Sequence, residues 1–293
     1  MSKIGFIGVG LMGAAMANRL VDKGHSLVVL GNRSRENITA LTGRGATEAS
    51  SAKEMAQECD IVMLCVGTSE QVEGRMQGPD GVIAGLRDGA VVIDFGTSLP
   101  ASTKMLGEAV ASAGGQYLDA PLGRTPAHAV DGKLNLMCAG DKDAFNKVRP
   151  VLDDLGENVF HLGALGAGHT TKLINNFFGM TVANAMCEAF AMADVQGVDR
   201  QAVYDVIAAG PLHSMMMDLV KGYAIDKDPA QLAFAIKNAA KDVGYYSLMA
   251  EQAGVESIMS QSTLKGLSGA TEAGKGDEMV SQMVDYYAEK MKT

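Results

Sequence analysis

A lysine stands early in an otherwise apolar helical run, Gly166-Ala167-Gly168-His169-Thr170-Thr171-Lys172-Leu173-Ile174-Asn175-Asn176. Burying an ammonium is costly, and burial lowers its pKa toward the range where it can give up a proton near neutrality. Lys172 and Asn176 are four apart, so a helix puts them on one face a turn from each other, with Asn175 on an adjacent face. Spacing alone leaves two readings open, a lysine snorkelling to water and a proton donor. A second cluster, Asp119-Ala120-Pro121-Leu122-Gly123-Arg124-Thr125, follows an apolar strand-like run. Glycine beside arginine and threonine can form a backbone-and-guanidinium cradle for an anion. A third is Phe234 with Lys241-Asp242, on a helical stretch.

Glycines 8, 10 and 13 form G-x-G-x-x-G directly after the apolar run Lys3–Ile7 and at the head of a helical pattern over Gly13–Lys23. In that setting one glycine permits the tight turn, one lets backbone reach a pyrophosphate, and one lets helix and strand pack closely. The helix N-terminus then offers free N–H groups to phosphates. The second strand, Ser26–Leu30, ends in Gly31-Asn32-Arg33-Ser34-Arg35, with no carboxylate before Glu36. A carboxylate there accepts from a ribose 2′-OH, whereas Arg33 between Asn32 and Ser34 suits a 2′-phosphate. NADP(H) is therefore preferred, with NAD(H) as second choice; against this, Arg33 and Arg35 also read as solvated surface charges.

The elements that must position these groups alternate. Apolar strand runs at Asp60–Val66, Val91–Phe95, Tyr117–Ala120, Asn135–Ala139 and Asn158–Leu162 are separated by helical patterns, among them Ala40–Arg44. A run as apolar as Asp60–Val66 must be covered on both faces, so β-α-β units and a mostly parallel sheet are expected. Near Gly163–Gly168 the pattern changes. One proline-free helical stretch runs from Thr170 to about Gln196, followed by Arg200–Ala208, Leu212–Val220, Ala230–Gln252 and Asp277–Lys292, with no convincing strand. The expected fold class is α/β: a doubly wound Rossmann domain over residues 1–163, then an all-helical domain over 164–293 for substrate and oligomerisation. The long helix joins them and is expected to carry residues into the cleft between.

Composition narrows the function classes. With 293 residues, at roughly 150 per domain, two domains are expected. The chain is 47% hydrophobic and 20% charged, which suits globular folding. A net charge of −9 argues against nucleic acid or an anionic membrane as partner. No apolar stretch approaches the ~20 residues of a membrane span, and Met1-Ser2-Lys3-Ile4-Gly5-Phe6-Ile7-Gly8 lacks the long apolar region of a secretory signal. Cys59, Cys65, Cys138 and Cys187 have no CxxC spacing and read as buried free thiols in a cytoplasmic protein. No Asp/His grouping has metal-ligand spacing, so no metal is expected. Met215, Met216 and Met217 read as core or subunit contact. His169 and His213 are candidate site histidines; His25, His128 and His161 read as structural.

Together these motifs resemble the β-hydroxyacid dehydrogenase family. In order, the match comprises Gly8, Gly10 and Gly13; the loop Asp119–Thr125; Gly166, Gly168, Lys172 and Asn176; and Lys241-Asp242. The resemblance covers essentially the whole chain. It implies a C-terminal domain like that of 6-phosphogluconate dehydrogenase and reversible hydride transfer on a short acid, with Lys172 as proton donor and Asn176 as its orienting partner. It implies substrate contacts from Gly123, Asn176 and Lys241, and Arg124, Thr125 and Asn175 complete the expected substrate-binding group. Cofactor contacts are implied at Gly8, Gly10, Leu11, Met12, Gly13, Asn32, Arg33, Ser34, Val66, Gly67, Thr97 and Lys241. A homodimer or homotetramer is implied, and the Met-rich helical half has more apolar surface than a small lobe covers alone.

The chain departs from the family at informative places. Most members carry a serine and two glycines where this chain has Leu122-Gly123-Arg124-Thr125. The Gly-Arg-Thr form is similar to the sulfolactaldehyde reductase branch and implies a strongly anionic substrate, sulfonate or carboxylate. Gly67 stands where proline is common, and Gly96 where serine is common before Thr97. The expected activity is an NADP(H)-linked reductase of sulfolactaldehyde or 3-hydroxyisobutyrate type. Glyoxylate/succinic semialdehyde and tartronate semialdehyde reductases are the nearest alternatives. An imine reductase, or a dinucleotide-binding protein without catalysis, fits an intact Lys172–Asn176 pair poorly.

Overall fold

Strands form where apolar residues fill both faces. In β1 (Lys3–Ile7), Ile4 and Phe6 enter one core layer and Ile7 the other; in β4 (Ile61–Leu64), Ile61 and Met63 part from Val62 and Leu64 in the same way. That two-residue alternation, with both faces covered, is the mark of a sheet between helical layers. The computed structural model describes residues 3–31 and 35–292. The remaining strands are β2 (Ser26–Leu30), β3 (Thr47–Ala49), β5 (Val91–Asp94), β6 (Gln116–Asp119), β7 (Leu122–Gly123), β8 (Leu134–Gly140) and β9 (Gly156–His161). Their order is β3-β2-β1-β4-β5-β6-β8-β7, with β9 on β8. The pairs from β3 to β6 are all parallel; β8 runs antiparallel to β6 and β7 and parallel to β9.

The first helices are α1 (Leu11–Asp22), α2 (Glu36–Gly43), α3 (Ala52–Glu58), α4 (Ser69–Met76) and α5 (Val82–Gly85). They are followed by α6 (Pro100–Ser112), α7 (Pro126–Val130) and α8 (Lys142–Leu155). α9 (Ala167–Gln196) has 30 residues and passes through the division between two compact units, Met1–Lys172 and Leu173–Thr293. In the second unit are α10 (Arg200–Ala208), α11 (Met215–Ala224), α12 (Ile236–Gln252), α13 (Ile258–Ala270) and α14 (Met283–Met291). Its core packs Met180, Ala183, Cys187 and Phe190 of α9 with Val220, Ile236, Val243, Leu267 and Val284. No helix among the described residues is long and apolar enough to cross a membrane.

Several boundaries differ from the sequence reading, each for a local reason. The stretch expected over Ala230–Gln252 is a short 3₁₀ turn, Pro229–Leu232, and then α12. Between them the backbone is taken by another segment: Ile236 N–H donates to the Glu278 carbonyl and Val280 N–H to the Phe234 carbonyl. The same pairing delays the last helix, expected from Asp277, to Met283. α11 starts at Met215 rather than Leu212 because the Ser214 hydroxyl caps it, accepting from Met217 N–H at 3.3 Å. Of the four cysteines, Cys59, Cys138 and Cys187 are buried, but Cys65, just past the end of β4, is half-buried. Of the three methionines 215–217, Met217 is buried and Met215 is 73% exposed.

Candidate active site

In an open parallel sheet the strand C-termini, where the order reverses, are where ligands bind. Here that reversal flanks β1, with β2 on one side and β4 on the other. Gly8, just past β1, has φ +93°, and a Cβ there would lie 2.3 Å from the Cys65 carbonyl oxygen. A Cβ on Gly13 would lie 2.0 Å from the Gly8 carbonyl oxygen. Both glycines are therefore demanded by the fold itself. Gly10 is different: nothing lies within 4 Å of its Cβ position, and its extended backbone, φ −71° and ψ −161°, suits any residue. It caps α1 without a side-chain hydrogen bond, and the first turn of α1 has no acidic residue. Leu11 is 82% exposed and Met12 half-buried. The chain's own packing does not require glycine at position 10, and the open backbone N–H groups beside it leave room for a phosphate. The residues present fit a dinucleotide.

Asn32, Arg33 and Ser34 lie outside the described residues. Beside them, Arg35 pairs in bidentate fashion with Glu48 of β3, at 2.6 and 2.8 Å. Glu48 was not singled out in the sequence; β3 brings it to the neighbourhood of the β2 C-terminus, paired across from Val29. The Arg35 guanidinium holds its carboxyl below the usual range. Along the same edge of the sheet lie half-buried Val66, exposed Gly67, whose N–H donates to Gln71 Oε1 at 2.9 Å, and half-buried Thr97.

The loop after β6 is built on strain. Gly123 pairs with Asn135 across β7 and β8, and Arg124 follows with φ +77°, a left-handed conformation uncommon for a residue with a Cβ. Arg124 Nη1 donates to the Lys133 carbonyl at 2.7 Å and to Glu157 Oε2 at 2.5 Å. The guanidinium is thus already engaged by a carboxylate of β9, which the sequence did not suggest. Thr125 is exposed, its hydroxyl 2.8 Å from His128 Nδ1.

Asp119, at the end of β6, sets the start of α9. Its Oδ1 accepts from Gly166 N–H at 2.8 Å and its Oδ2 from His169 N–H at 2.7 Å. With that carboxylate on its first turn, α9 begins at Ala167, three residues before the Thr170 expected from sequence. A Cβ on Gly168 would lie 2.2 Å from the Met137 carbonyl oxygen, so glycine lets the turn press against the sheet. Burial pushes the Asp119 carboxyl up, while the nearby imidazole and the two backbone donors oppose the shift. Lys172, half-buried, follows on the next turn.

In the second unit, Asn176 and Asp242 are buried and bonded: Asn176 Nδ2 donates to Asp242 Oδ2 at 2.6 Å. Asp242 Oδ1 lies 2.8 Å from Lys241 Nζ, which also stands 5.1 Å over the Tyr245 ring. Asn175, exposed, donates through Nδ2 to Asn176 Oδ1 at 3.2 Å. The structure thus joins Asn175, Asn176 and Lys241 through a carboxylate noted in the sequence only as Lys241's neighbour. His213 is exposed, its Nε2 2.9 Å from Asp218 Oδ1. His25, His128 and His161 make hydrogen bonds to Asp154, Thr125 and the Gly140 carbonyl.

Comparison with known proteins matches both parts of the chain. A family model described as the NAD binding domain of 6-phosphogluconate dehydrogenase covers residues 3–163. A second, described as NAD-binding of NADP-dependent 3-hydroxyisobutyrate dehydrogenase, covers residues 166–287. The 3-sulfolactaldehyde reductase of Escherichia coli (strain K12) is 30% identical over 288 residues, 97% of this chain and 95% of the relative. Glyoxylate/succinic semialdehyde reductase 2, chloroplastic, of Arabidopsis thaliana is 28% identical over 282 residues, 96% and 78% of the two chains. Among solved structures, Mycobacterium tuberculosis 3-hydroxyisobutyrate dehydrogenase with L-serine superposes with a TM-score of 0.88 at 25% identity, covering 98% of this chain and 99% of that one.

Proposed function

This chain belongs to the β-hydroxyacid dehydrogenase family, NAD(P)-dependent enzymes of the 3-hydroxyisobutyrate dehydrogenase type, and on that premise we propose that it is an NADPH-linked reductase of a short anionic aldehyde. The observation that carries the reading is the amine of Lys172 one turn before an Asn176 already oriented by buried Asp242. A dinucleotide held at the Gly8–Gly13 turn would supply the hydride for reduction of a carbonyl to a hydroxyl. Lys172 gives its proton to the substrate oxygen as charge grows there, and takes the proton back in the oxidative direction. Proton transfer of this kind is worth about 10²–10⁴-fold. Asn176 holds the substrate oxygen or the lysine in register, and Asn175 and Lys241 complete the polar surroundings.

In this proposal residues 1–163 bind the cofactor, through Gly8, Gly10, Leu11, Met12, Gly13, Val66, Gly67 and Thr97, with Lys241 added from 164–293. The lack of a carboxylate in Asn32-Arg33-Ser34 supports NADP(H) over NAD(H). The loop Gly123-Arg124-Thr125 takes the anionic end of the substrate, which competes with Glu157 for Arg124. Sulfonate is favoured because the Gly-Arg-Thr form resembles the sulfolactaldehyde branch; carboxylate-ended semialdehydes are the second choice. Assembly into a homodimer or homotetramer is supported by exposed Met192, Val195, Val206, Leu212, Ile258 and Met259. A cytoplasmic location is supported by the free thiols, and a net charge of −9 disfavours nucleic-acid and membrane partners.

Initial rates with NADPH and NADH against sulfolactaldehyde, succinic semialdehyde, glyoxylate and tartronate semialdehyde test the proposal. Turnover is expected with NADPH, fastest on sulfolactaldehyde, and Lys172→Ala should lower it at least ~10²-fold. A loss within about threefold would remove Lys172 as proton donor. Arg33→Ala should erode the preference for NADPH by about tenfold or more.

A further inference from the structure

The core of the first unit holds an imidazole with no access to water. His169 is 0% exposed, and the carboxylates of Asp94 and Asp119 beside it are 1% and 0% exposed. Its Nε2 lies 3.7 Å from Asp94 Oδ2, and its Nδ1 lies 3.8 Å from Asp119 Oδ2. Nδ1 is also 2.7 Å from the Thr103 hydroxyl, which donates to the Leu99 carbonyl at 3.1 Å. The Nδ1–Thr103 contact is a hydrogen bond in either ring tautomer, and the other ring nitrogen, Nε2, faces Asp94.

Each neighbour belongs to a different element. Asp94 ends β5 and accepts from Gly96 N–H at 2.8 Å and from the Ser98 hydroxyl at 2.9 Å, so it shapes the loop containing Thr97. Thr103 is in α6. Asp119 ends β6 and holds the first turn of α9. The Tyr117 phenol, in the same neighbourhood, is kept neutral by burial and by the charges of Asp94 and Asp119. Aliphatic side chains at positions 94, 119 and 169 would fill this volume with no charge to desolvate. A buried polar network is retained where it fixes one geometry. Lys172 stands three residues beyond His169, on the next turn.

We propose that His169 is a positioning residue: bonded to Thr103 and set between Asp94 and Asp119, it locks the start of α9 to α6 and to the loop after β5, and so fixes where the Lys172 amine stands. This rests on Lys172 being the proton donor of the proposed reductase. It adds a residue that touches neither substrate nor cofactor.

Three variants of the full chain test it. His169→Leu keeps bulk and loses both ring nitrogens. His169→Asn keeps a polar group, able to donate or accept, close to the place of Nδ1. Thr103→Val removes the hydroxyl without altering α9. The readouts are kcat and KM with NADPH, the Kd for NADPH by fluorescence, and the pH midpoint for acylation of the Lys172 amine, followed by mass spectrometry. His169→Leu and Thr103→Val should each lower kcat about tenfold while the Kd stays within about twofold, because a small misplacement of a reacting group costs rate. Both should move the acylation midpoint by at least about half a pH unit. The double variant should lose no more than either single one, as expected of two halves of one contact. His169→Asn should return kcat to within about threefold of wild type.

Equal impairment of the Leu and Asn variants would overturn the proposal, as would wild-type kcat and acylation midpoint in His169→Leu. If His169→Leu does not fold, Thr103→Val decides: an unchanged rate and an unchanged midpoint refute the lock. If Lys172→Ala retains turnover but the midpoint still moves with His169→Leu, the proton-donor reading falls and the lock stands.

Discussion

Asn176 donates its side-chain amide to Asp242 Oδ2 across 2.6 Å, although 66 residues separate the two in the chain. Asp242 is 3% exposed and pairs through its other oxygen with Lys241. One buried carboxylate therefore sets the direction of both Asn176 and Lys241. An amide such as Asn176 can present either its oxygen or its nitrogen to a ligand. With Nδ2 committed to Asp242, its oxygen is the end turned to Asn175 and to whatever lies beyond.

Removing that charge should therefore disturb orientation more than fold. Asp242→Asn keeps the shape but loses the charge-assisted bond and sets an amide against Lys241. Charge-assisted hydrogen bonds contribute about 1.5–3 kcal/mol, so kcat/KM should fall about 10- to 100-fold. Steady-state kinetics beside a urea titration would check this. Unaltered kcat/KM would mean that Asp242 does not orient the site.

Two glycines of one motif should behave in opposite ways. Gly8→Ala forces a Cβ against the Cys65 carbonyl at a positive φ and should destabilise the apoprotein by roughly 2 kcal/mol or more. Gly10→Ala meets nothing within 4 Å and should leave apoprotein stability within about 1 kcal/mol of wild type. Its affinity for NADPH should nevertheless fall at least about tenfold, because the added methyl occupies the approach to the α1 N-terminus. Thermal melts with and without NADPH separate the two effects. An unchanged affinity in Gly10→Ala would move the phosphates elsewhere.

Arg124 carries a guanidinium on a backbone that favours glycine. Arg124→Ala and Arg124→Gly both delete the guanidinium, but only glycine relieves the strain. The glycine variant should be the more stable of the two by about 1 kcal/mol. Both should raise KM for an anionic aldehyde by about tenfold or more and leave a neutral one unaffected. Chemical denaturation and paired KM measurements would show whether strain is kept here for recognition.

Alkaline pH should weaken the fold through its thiols. Burial pushes Cys59, Cys65, Cys138 and Cys187 up from 9.0 to about 12. Above about pH 9 the unfolded chain releases these protons first, so the unfolded state gains. The stabilising contribution is whole below pH 9 and is lost as pH climbs toward 12. Urea midpoints should fall steadily over that window, and Cys187→Ala should flatten the slope. A midpoint independent of pH above 9 would show the thiols to be accessible.

Much of this protein could be read from local pattern. The glycine motif, the alternating apolar strands and the proline-free helix depend on neighbours within a few residues, and they were legible for that reason. Lys172 and Asn176 were placed on one helical face by spacing alone. Boundaries were less legible where distant groups supply a cap or a partner. α9 starts early because Asp119 reaches its first turn. The helices expected from Ala230 and Asp277 start late because these two segments pair with each other.

What the sequence determined by itself was the fold class and the family, since periodicity and motif order are one-dimensional properties; it also named Lys172 and Asn176 as candidates for the proposed chemistry. What only tertiary structure decided was which polar groups answer one another. It set Asp242 on Asn176, Glu157 on Arg124, Glu48 on Arg35, and Asp94 with Asp119 around His169. The physical reason is that a carboxylate finds its partner through space, by the close approach of strand ends and helix turns far apart along the chain. No local rule of spacing encodes such a meeting.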